Sequence, residues 1–281
     1  MTSDTITSRK NPLAQRARAV RDGRERDLVF AEGVRLCEEA LDASVEFEAV
    51  LYVRSLAEDG RGASLLQKLR DVCRNVQAVS EDVLESVSDT KTPQGVVALA
   101  RRPLTGRERI ERAAGVPLVV VMHRANNPAN AGAALRVAEA AGATGVVLTK
   151  GSTDPLSPKS LRGSMGSAFR LPLWTGPTLE EALGWCVARG ILSVAAAAAA
   201  PSLHTEIDWA APRAVVLGPE AGGLTVEEIG GADEAVRIPM RAPVESLNLA
   251  TALAVLLYEA ARQRRFTALN CLFLLTFPFN F

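Results

Sequence analysis

Three short segments combine turn-forming residues with side chains that can hold a ligand. The first, NNPANAGAALR at 126–136, places Asn130 six residues before Arg136. An asparagine-rich turn that opens a helix presents hydrogen-bond donors to an anionic group, and a guanidinium offers a planar fork for phosphate. A helix cap followed by a solvated arginine would explain this segment about as well.

The second segment, LGPEAGGL at 217–224, follows an apolar run and surrounds Glu220 with glycines. Glycine lets a backbone approach a ligand closely. The spacing differs from the G-x-G-x-x-G pattern of dinucleotide-binding turns. Taken alone, the segment is better explained as an ordinary glycine turn with an exposed glutamate.

The third segment, RIPMRAPVESLNLATALAVLLYEAARQRR at 237–265, joins a strand-like run to a predicted helix. From Leu247 to Ala261 this helix is apolar on nearly every face, which predicts a core position. Ser246 could be a simple cap, worth about 1 kcal/mol. Asn248 favours a role in holding a ligand more than a simple cap does, because a buried amide needs hydrogen-bond partners.

The elements around these segments predict an α/β protein. From residue 117 onward, apolar runs such as PLVVVMH and RAVVLG alternate with helical patterns such as NAGAALRVAEAAG. This alternation predicts a parallel sheet covered by helices on both faces. Ligands of such sheets bind beyond the carboxyl ends of the strands. All three segments follow predicted strands, so together they favour a ligand site more than any one does alone.

The chain divides into four predicted regions. Residues 1–100 alternate helix and strand signals and form a small α/β unit, and the charged, Pro- and Gly-punctuated stretch 101–116 is the predicted linker. Residues 117–265 form the second domain. The strongly apolar tail 266–281 has no assigned role.

Composition limits the classes of function. The chain has 281 residues, 48% of them hydrophobic, and a formal net charge of +0, so a polyanionic partner would need a local basic surface. No signal peptide or membrane span is expected, which favours a reduced, cytoplasmic protein without membrane contact. The spacing of the potential soft ligands predicts no metal site. These ligands are Cys37, Cys73, Cys186, Cys271, His123 and His204.

Basic residues crowd the N-terminus and recur later in the chain. They are candidates for nucleic-acid phosphate contacts, although a basic run is often just a solvated helix face. Few aromatic residues lie between them, so stacking on splayed bases is not expected. The candidates are Arg9, Lys10, Arg16, Arg18, Lys91, Lys159 and Arg162.

The three segments, in this order and spacing, resemble the motifs of the SpoU/TrmH family of RNA ribose 2′-O-methyltransferases, within the SPOUT class. The third match, IPMRAPVESLNLATALAVLLYEA, is long and specific. The N-terminal stretches ITSRKNPLAQRARAV, FAEGVRLCEEAL and SDTKTPQGVVALA resemble the RNA 2′-O-ribose methyltransferase substrate-binding domain of such enzymes. The resemblance covers nearly everything except the tail.

The resemblance implies a fold, a cofactor and a partner. The fold would be a small N-terminal α/β substrate-binding domain plus a C-terminal SPOUT α/β domain with a trefoil knot. The protein would work as a homodimer and transfer a methyl group from S-adenosyl-L-methionine to a ribose 2′-hydroxyl, with 23S ribosomal RNA as the expected substrate. Transfer RNA or a small nucleoside as substrate, and a non-catalytic RNA-binding role, remain open alternatives.

The resemblance also assigns roles to residues. The implied catalytic residues are Asn130, Arg136, Glu220, Ser246 and Asn248. The implied cofactor-binding residues are Leu217, Gly218, Ile238, Pro239, Met240, Ser246 and Leu247.

Three positions depart from the family pattern. The second motif usually has Asn before the Glu and Gly after it, where this chain has Pro219 and Ala221. The first motif often begins with an aspartate where His123 stands. These departures concern the fine geometry of the cofactor site more than activity itself.

Overall fold

The computed structural model describes residues 5–58 and 60–264. The predicted tail 266–281 therefore lies outside the described residues. The described chain forms two compact units that interleave along the sequence. The first contains Met1–Thr105, Asn127–Arg136 and Thr153–Leu171, and the second contains Gly106–Asn126, Val137–Ser152 and the chain from Pro172.

A four-stranded mixed sheet forms the centre of the first 105 residues. Its order is β1-β4-β2-β3, with β4 antiparallel to both neighbours and β2 parallel to β3. The strands are β1 (Leu28–Glu32), β2 (Phe47–Tyr52), β3 (Val76–Ala78) and β4 (Val96–Arg101). Around them lie α1 (Pro12–Arg21), α2 (Val34–Asp42), a 3-10 helix (Arg54–Glu58), α3 (Gly60–Val72) and α4 (Glu81–Val87).

The second sheet has seven strands, and each neighbouring pair is parallel, as the sequence pattern predicts. Its order is β7-β6-β5-β10-β8-β11-β9. The strands are β5 (Leu118–Met122), β6 (Gly145–Leu148), β7 (Leu173–Thr175), β8 (Leu192–Ala196), β9 (Ser202–Leu203), β10 (Arg213–Leu217) and β11 (Glu234–Arg237).

Both faces of the central strands are buried. Val119 and Val121 of β5 pack in one core cluster with Trp185, while the intervening Val120 is also inaccessible to solvent. A strand apolar at every position needs cover on both sides. The helices of the later chain are α5 (Arg107–Glu111), α6 (Pro128–Ala140), α7 (Pro158–Ser164), α8 (Ser167–Arg170), α9 (Leu179–Ala188), α10 (Val226–Gly230) and α11 (Leu249–Gln263).

The start of α11 corrects the predicted helix. It begins at Leu249 instead of Leu247, because Asn248 is the N-cap and its Oδ1 accepts a hydrogen bond from the Ala250 N–H at 3.0 Å. One face of the helix is buried, whereas Tyr258 on another face is 52% exposed. The expectation of a helix buried on all sides is therefore wrong for the single chain.

Strand β11 also corrects the strand-like run AVRIPM, residues 235–240, which the sequence pattern predicts as a strand. It ends at Arg237, before Pro239. Proline has no N–H to donate to a ladder, so strand pairing ends near it.

The described part of the chain contains no helix long and apolar enough to cross a membrane. Within the same described residues, no three or more His, Cys, Asp or Glu side chains form a group that could hold a metal ion. Cys37, Cys73 and Cys186 are free and buried. Burial raises the pKa of the Cys37 and Cys186 thiols to about 12, so both are unreactive.

Candidate functional site

The first and second segments leave the sheet from neighbouring strands. β5 and β10 are paired in parallel, with Met122 opposite Leu217. The pairing continues one residue further, because the His123 N–H donates to the Leu217 carbonyl at 2.8 Å. The chain therefore turns away from the sheet at His123 and at Gly218 side by side, at the carboxyl edge where parallel sheets bind ligands.

The glycine-rich loop, residues 218–224, is folded tightly on itself. A Cβ on Gly218 would lie 2.5 Å from the Leu224 nitrogen, so no other residue fits there without a backbone shift. Gly222 and Gly223 adopt φ of +89° and +67°, which side chains disfavour. A Cβ on either would meet nothing within 4 Å, so both present bare backbone. Glu220 is exposed in the same loop.

The third segment follows β11, which lies two places from β10 in the sheet, with β8 between them. Ile238, Pro239 and Met240 come directly after the strand. Ser246 is exposed, and Leu247 is 37% exposed.

Asn248 is exposed as well, so the expectation of a buried amide is wrong for this chain. Its side chain caps α11, which satisfies one N–H of the first turn. Capping accounts for the amide structurally, and any further role needs a ligand or partner.

The first segment forms the start of α6. The Asn127 side chain accepts hydrogen bonds from the Ala129 N–H at 3.0 Å and the Asn130 N–H at 3.4 Å. Asn130 is half-buried in the first turn. Arg136, on the next turns, is exposed and makes no ion pair with the residues that the structure describes. Its charge is therefore available to an external group.

A polar cluster around the buried His123, which the sequence did not reveal, lies at the end of β5. The Arg124 guanidinium donates through Nε to His123 Nε2 at 2.6 Å and through Nη2 to Glu228. His123 Nδ1 lies 3.0 Å from the Thr149 hydroxyl oxygen. Because Nε2 accepts from Arg124, the ring proton belongs on Nδ1, which donates to Thr149. The departure at His123 from the usual aspartate was the signal available in the sequence.

Burial controls the charges in this cluster. It lowers the pKa of His123 below its ordinary value, Arg124 acts in the same direction, and Glu228 opposes both. Burial also acts to raise the pKa of Glu228. The Thr225 N–H together with His123 and Arg124 outweighs that effect and lowers it. The arrangement is a neutral imidazole beside a charged Arg–Glu pair.

Several of the predicted RNA contacts already have partners inside the first unit. Arg16 pairs with Glu48 and with Glu25, the latter at 2.9 Å. Arg18 donates to the Ser86 hydroxyl and the Arg9 carbonyl. These two residues nevertheless line an open pocket of 480 Å³ together with Pro12, Gln15, Ala19 and Arg24.

Three of the predicted RNA contacts are lysines with exposed side chains. Lys10, Lys91 and Lys159 are exposed and form no ion pair within the described part of the chain. Arg9 is 58% exposed at its side chain and lies 3.5 Å from Asp82. Exposed charges of this kind can neutralise phosphates without first breaking an internal contact.

The loop that carries Lys91 is held by a buried carboxylate. Glu32, 6% exposed, accepts from the Asp89 N–H at 2.9 Å and from the hydroxyls of Thr90, at 2.6 Å, and Ser88. Three hydrogen bonds to one carboxylate compensate its burial. They fix the loop 88–90 and, with it, the base of Lys91.

A seven-stranded parallel sheet with a glycine-rich loop beyond the end of β10 places the second unit in the doubly wound α/β class, whose ligands bind at the carboxyl ends of the strands. The chain belongs to the SpoU rRNA methylase family, which matches residues 117–258. The MRM3-like substrate binding domain matches residues 11–98. The family expected from the three motifs is thus confirmed.

Individual relatives agree with this assignment. An uncharacterized tRNA/rRNA methyltransferase of Synechocystis is 33% identical, over 94% of this chain and 96% of its own length. The 23S rRNA (guanosine-2′-O-)-methyltransferase RlmB of Shewanella oneidensis is 29% identical, over 86% and 99%. The crystal structure of the SpoU methyltransferase AviRb from Streptomyces viridochromogenes with AdoMet superposes with a TM-score of 0.82 at 28% identity, covering 91% of this chain and 98% of that one.

Proposed function

We propose that this protein transfers a methyl group from S-adenosyl-L-methionine to a ribose 2′-hydroxyl of 23S ribosomal RNA. One observation carries the proposal: the glycine-rich loop leaves β10 beside the end of β5, in a chain of the SpoU family. The named relative from Shewanella, which acts on 23S rRNA, and the AdoMet-bound neighbour support the substrate and the donor.

The residues of the second unit fit the donor. Gly222 and Gly223 leave open space where side chains would otherwise stand, so a ligand can approach the backbone. Leu217 is the last residue of β10 and Gly218 follows it. Ile238, Pro239 and Met240 follow Arg237, the last residue of β11, so their backbone groups lie beyond that strand. We assign the adenosine part of the donor to these backbones, with Ser246 and Leu247 as a further wall.

Methyl transfer makes particular demands on the protein. The donor supplies an activated methyl group on a sulfonium, so the protein must aim the hydroxyl and accept its proton. Positioning alone can contribute several kcal/mol, up to about 10. We assign Arg136 to the RNA phosphate and the developing alkoxide, because an unpaired guanidinium suits both. Glu220 is the proposed proton acceptor through water, and Asn130, Ser246 and Asn248 are assigned to orienting the ribose.

RNA recruitment is assigned to the first unit. Lys10, Lys91 and Lys159 offer exposed positive charge there, and Arg16 and Arg18 line the open pocket beside α1. Arg9, Arg16 and Arg162 are secondary contacts, because each already faces a carboxylate.

A homodimer with a trefoil knot is part of the proposal. Val244, Leu247 and Tyr258 are 53%, 37% and 52% exposed, and all three lie in or just before α11. Exposed apolar side chains along this segment favour association through it. Because the proposed substrate is ribosomal RNA, the proposed location is the cytoplasm.

Transfer RNA is the second candidate substrate, since the Synechocystis relative is named for both RNA classes. A non-catalytic RNA-binding role would be favoured by Pro219 and Ala221 in the second motif. Incubation with methyl-labelled donor and total RNA, followed by mapping of 2′-O-methyl positions, separates the three. Label in 23S rRNA supports the proposal, label in transfer RNA replaces its substrate, and donor or RNA binding without label contradicts it.

A further inference from the structure

His123 touches both ends of the glycine-rich loop. At the start, its N–H donates to the Leu217 carbonyl at 2.8 Å. At the end, its Nε2 lies 3.0 Å from Glu228 Oε1, and because both atoms are acceptors in this tautomer, the Arg124 guanidinium joins them by donating to each. That carboxylate in turn accepts from the Thr225 N–H at 2.9 Å and completes the capping box of α10. One residue of β5 thus holds the loop where it leaves β10 and where it enters α10.

Arg124 joins the two side chains. Its Nε–H donates to the imidazole and its Nη2 to the carboxylate. The residue adopts φ of +49°, a left-handed conformation that costs a non-glycine residue about 1 kcal/mol or more. Its N–H donates to the Thr149 hydroxyl at 3.1 Å. The unfavourable backbone is therefore maintained by a set of contacts that all converge on this cluster.

The loop between the two anchors has little stiffness of its own. Gly218, Gly222 and Gly223 lack the side chains that restrict other residues, and one backbone hydrogen bond, from the Gly223 N–H to the Pro219 carbonyl, crosses it. A loop with many accessible conformations binds weakly, since only the competent fraction takes the ligand. Anchoring at both ends raises that fraction.

We propose that His123, Arg124 and Glu228 form a latch that holds the glycine-rich loop in its donor-binding conformation. The latch rests on the proposed function, because it assigns the loop to the methyl donor. Its members are positioning residues: they act through the loop and need no contact with donor or RNA.

Four variants of the full chain test the latch by calorimetry with S-adenosylmethionine. His123→Phe keeps a ring but loses the hydrogen bonds, Arg124→Gly removes the fork while suiting the backbone, and Glu228→Ala removes the carboxylate. Each should weaken donor affinity about tenfold, within the coupling range of contacting residues. His123→Gln keeps a side-chain oxygen that can accept from the Arg124 Nε–H, so it should restore affinity to within about threefold.

Glu181→Ala is the matched control. Glu181 completes the capping box of α9 as Glu228 completes that of α10, with its carboxylate accepting from the Thr178 N–H at 2.7 Å. Its replacement removes an equivalent cap at a different helix, and donor affinity should stay unchanged. A loss equal to that of Glu228→Ala would show that capping alone is being measured and would overturn the latch.

Two further readouts separate the latch from general stability. The KM for the donor should rise in the latch variants. With donor at saturation, turnover should stay within about twofold, because the bound donor then selects the same loop conformation. Without donor, hydrogen exchange of amides 218–225 should speed up in His123→Phe and remain slow in His123→Gln. The double variant His123→Phe, Glu228→Ala should lose no more affinity than either single change.

The outcomes distinguish the latch from the proposed function. Wild-type protein that binds no S-adenosylmethionine overturns both. Wild-type binding with unchanged affinity and loop exchange in His123→Phe, Arg124→Gly and Glu228→Ala overturns the latch alone. If His123→Phe fails to fold, Arg124→Gly and Glu228→Ala decide the result, because both residues lie nearer the surface.

Discussion

The guanidinium of Arg162 lies 2.6 Å from the carboxylate of Asp89. This ion pair connects α7, which carries Lys159, to the loop that carries Lys91, and all four residues belong to the first unit. The same loop is held from below by the buried Glu32. Two exposed lysines are therefore attached to elements that are tied to each other, which limits the rearrangement needed to meet a phosphate backbone.

Replacing these lysines should weaken RNA binding in a salt-dependent manner. Lys91→Ala and Lys159→Ala should each reduce the slope of log K against log salt by about 0.7–1, because each removes one phosphate contact. The measurement is a binding titration with 23S rRNA fragments at several salt concentrations.

Lys68→Ala is the control for this pair. Lys68 is an exposed lysine on α3 of the same unit and is not among the proposed contacts. An equal change of slope in Lys68→Ala would mean that net charge, and not these two positions, governs RNA affinity.

Arg136→Ala should nearly abolish methyl transfer and leave donor affinity within a few-fold. The positively charged donor has no attraction to a guanidinium, whereas RNA phosphate and a developing alkoxide have. Because Arg136 is exposed and unpaired within the described chain, the free energy of unfolding should change by less than about 0.5 kcal/mol. Arg136→Lys should recover little, since a point charge replaces a planar fork.

Calorimetry with S-adenosylmethionine and single-turnover assays on RNA give the two readouts for Arg136. Full transfer activity in Arg136→Ala would remove it from the catalytic residues. A large loss of donor binding with normal transfer at saturation would move it to the donor site instead.

Asn248 can be separated into its cap and its proposed role in transfer. Asn248→Ala should cost about 1 kcal/mol of stability, because α11 loses its N-cap. Asn248→Ser keeps a capping oxygen and should recover that stability, but turnover should stay at least about tenfold low, equal to roughly 1.4 kcal/mol at the transition state. Normal turnover in Asn248→Ser would show that Asn248 is a cap alone.

Much of the second sheet was predictable, for a physical reason. Strands such as β5 and β10 are buried on both faces, so they read as short apolar runs bounded by glycine or proline. The start of α11 was harder to place, because Leu247 continues the apolar pattern although Asn248 caps the helix after it. The two units alternate along the chain, and no local sequence pattern predicts this division, since it depends on which helices pack together.

The candidate site was predictable in its loops and not in its contacts. Asparagine, glycine and glutamate after apolar runs mark strand ends, and those ends meet at one edge of a parallel sheet. The contact of His123 with Glu228 joins positions 105 apart in sequence and follows from the pairing of β5 with β10. A sequence pattern does not show which strands pair or which distant residues then come into contact. An isolated histidine and an ordinary helix-capping glutamate give no reason to connect the two.

The latch should leave a signature in the pH dependence of stability. Burial holds the pKa of His123 below its ordinary value in the folded protein, so on acidification the unfolded chain takes up a proton first. The contribution of His123 to the free energy of unfolding is therefore fully present above the ordinary histidine pKa of about 6.5. It falls as pH drops from there toward the lowered folded pKa, by at most about 1.4 kcal/mol per pH unit.

Glu228 adds a second phase, because its pKa is also lowered. Its contribution is present above the ordinary carboxyl pKa and is lost as pH falls through the folded value. His123→Gln should remove the first phase and keep the second. Denaturant titrations from about pH 7.5 to about pH 2.5, which reach below the ordinary carboxyl pKa, measure both phases in wild type and variant. The same slope in both proteins between pH 7 and 5.5 would mean that His123 is not the titrating group and that its buried neutral form is the wrong description.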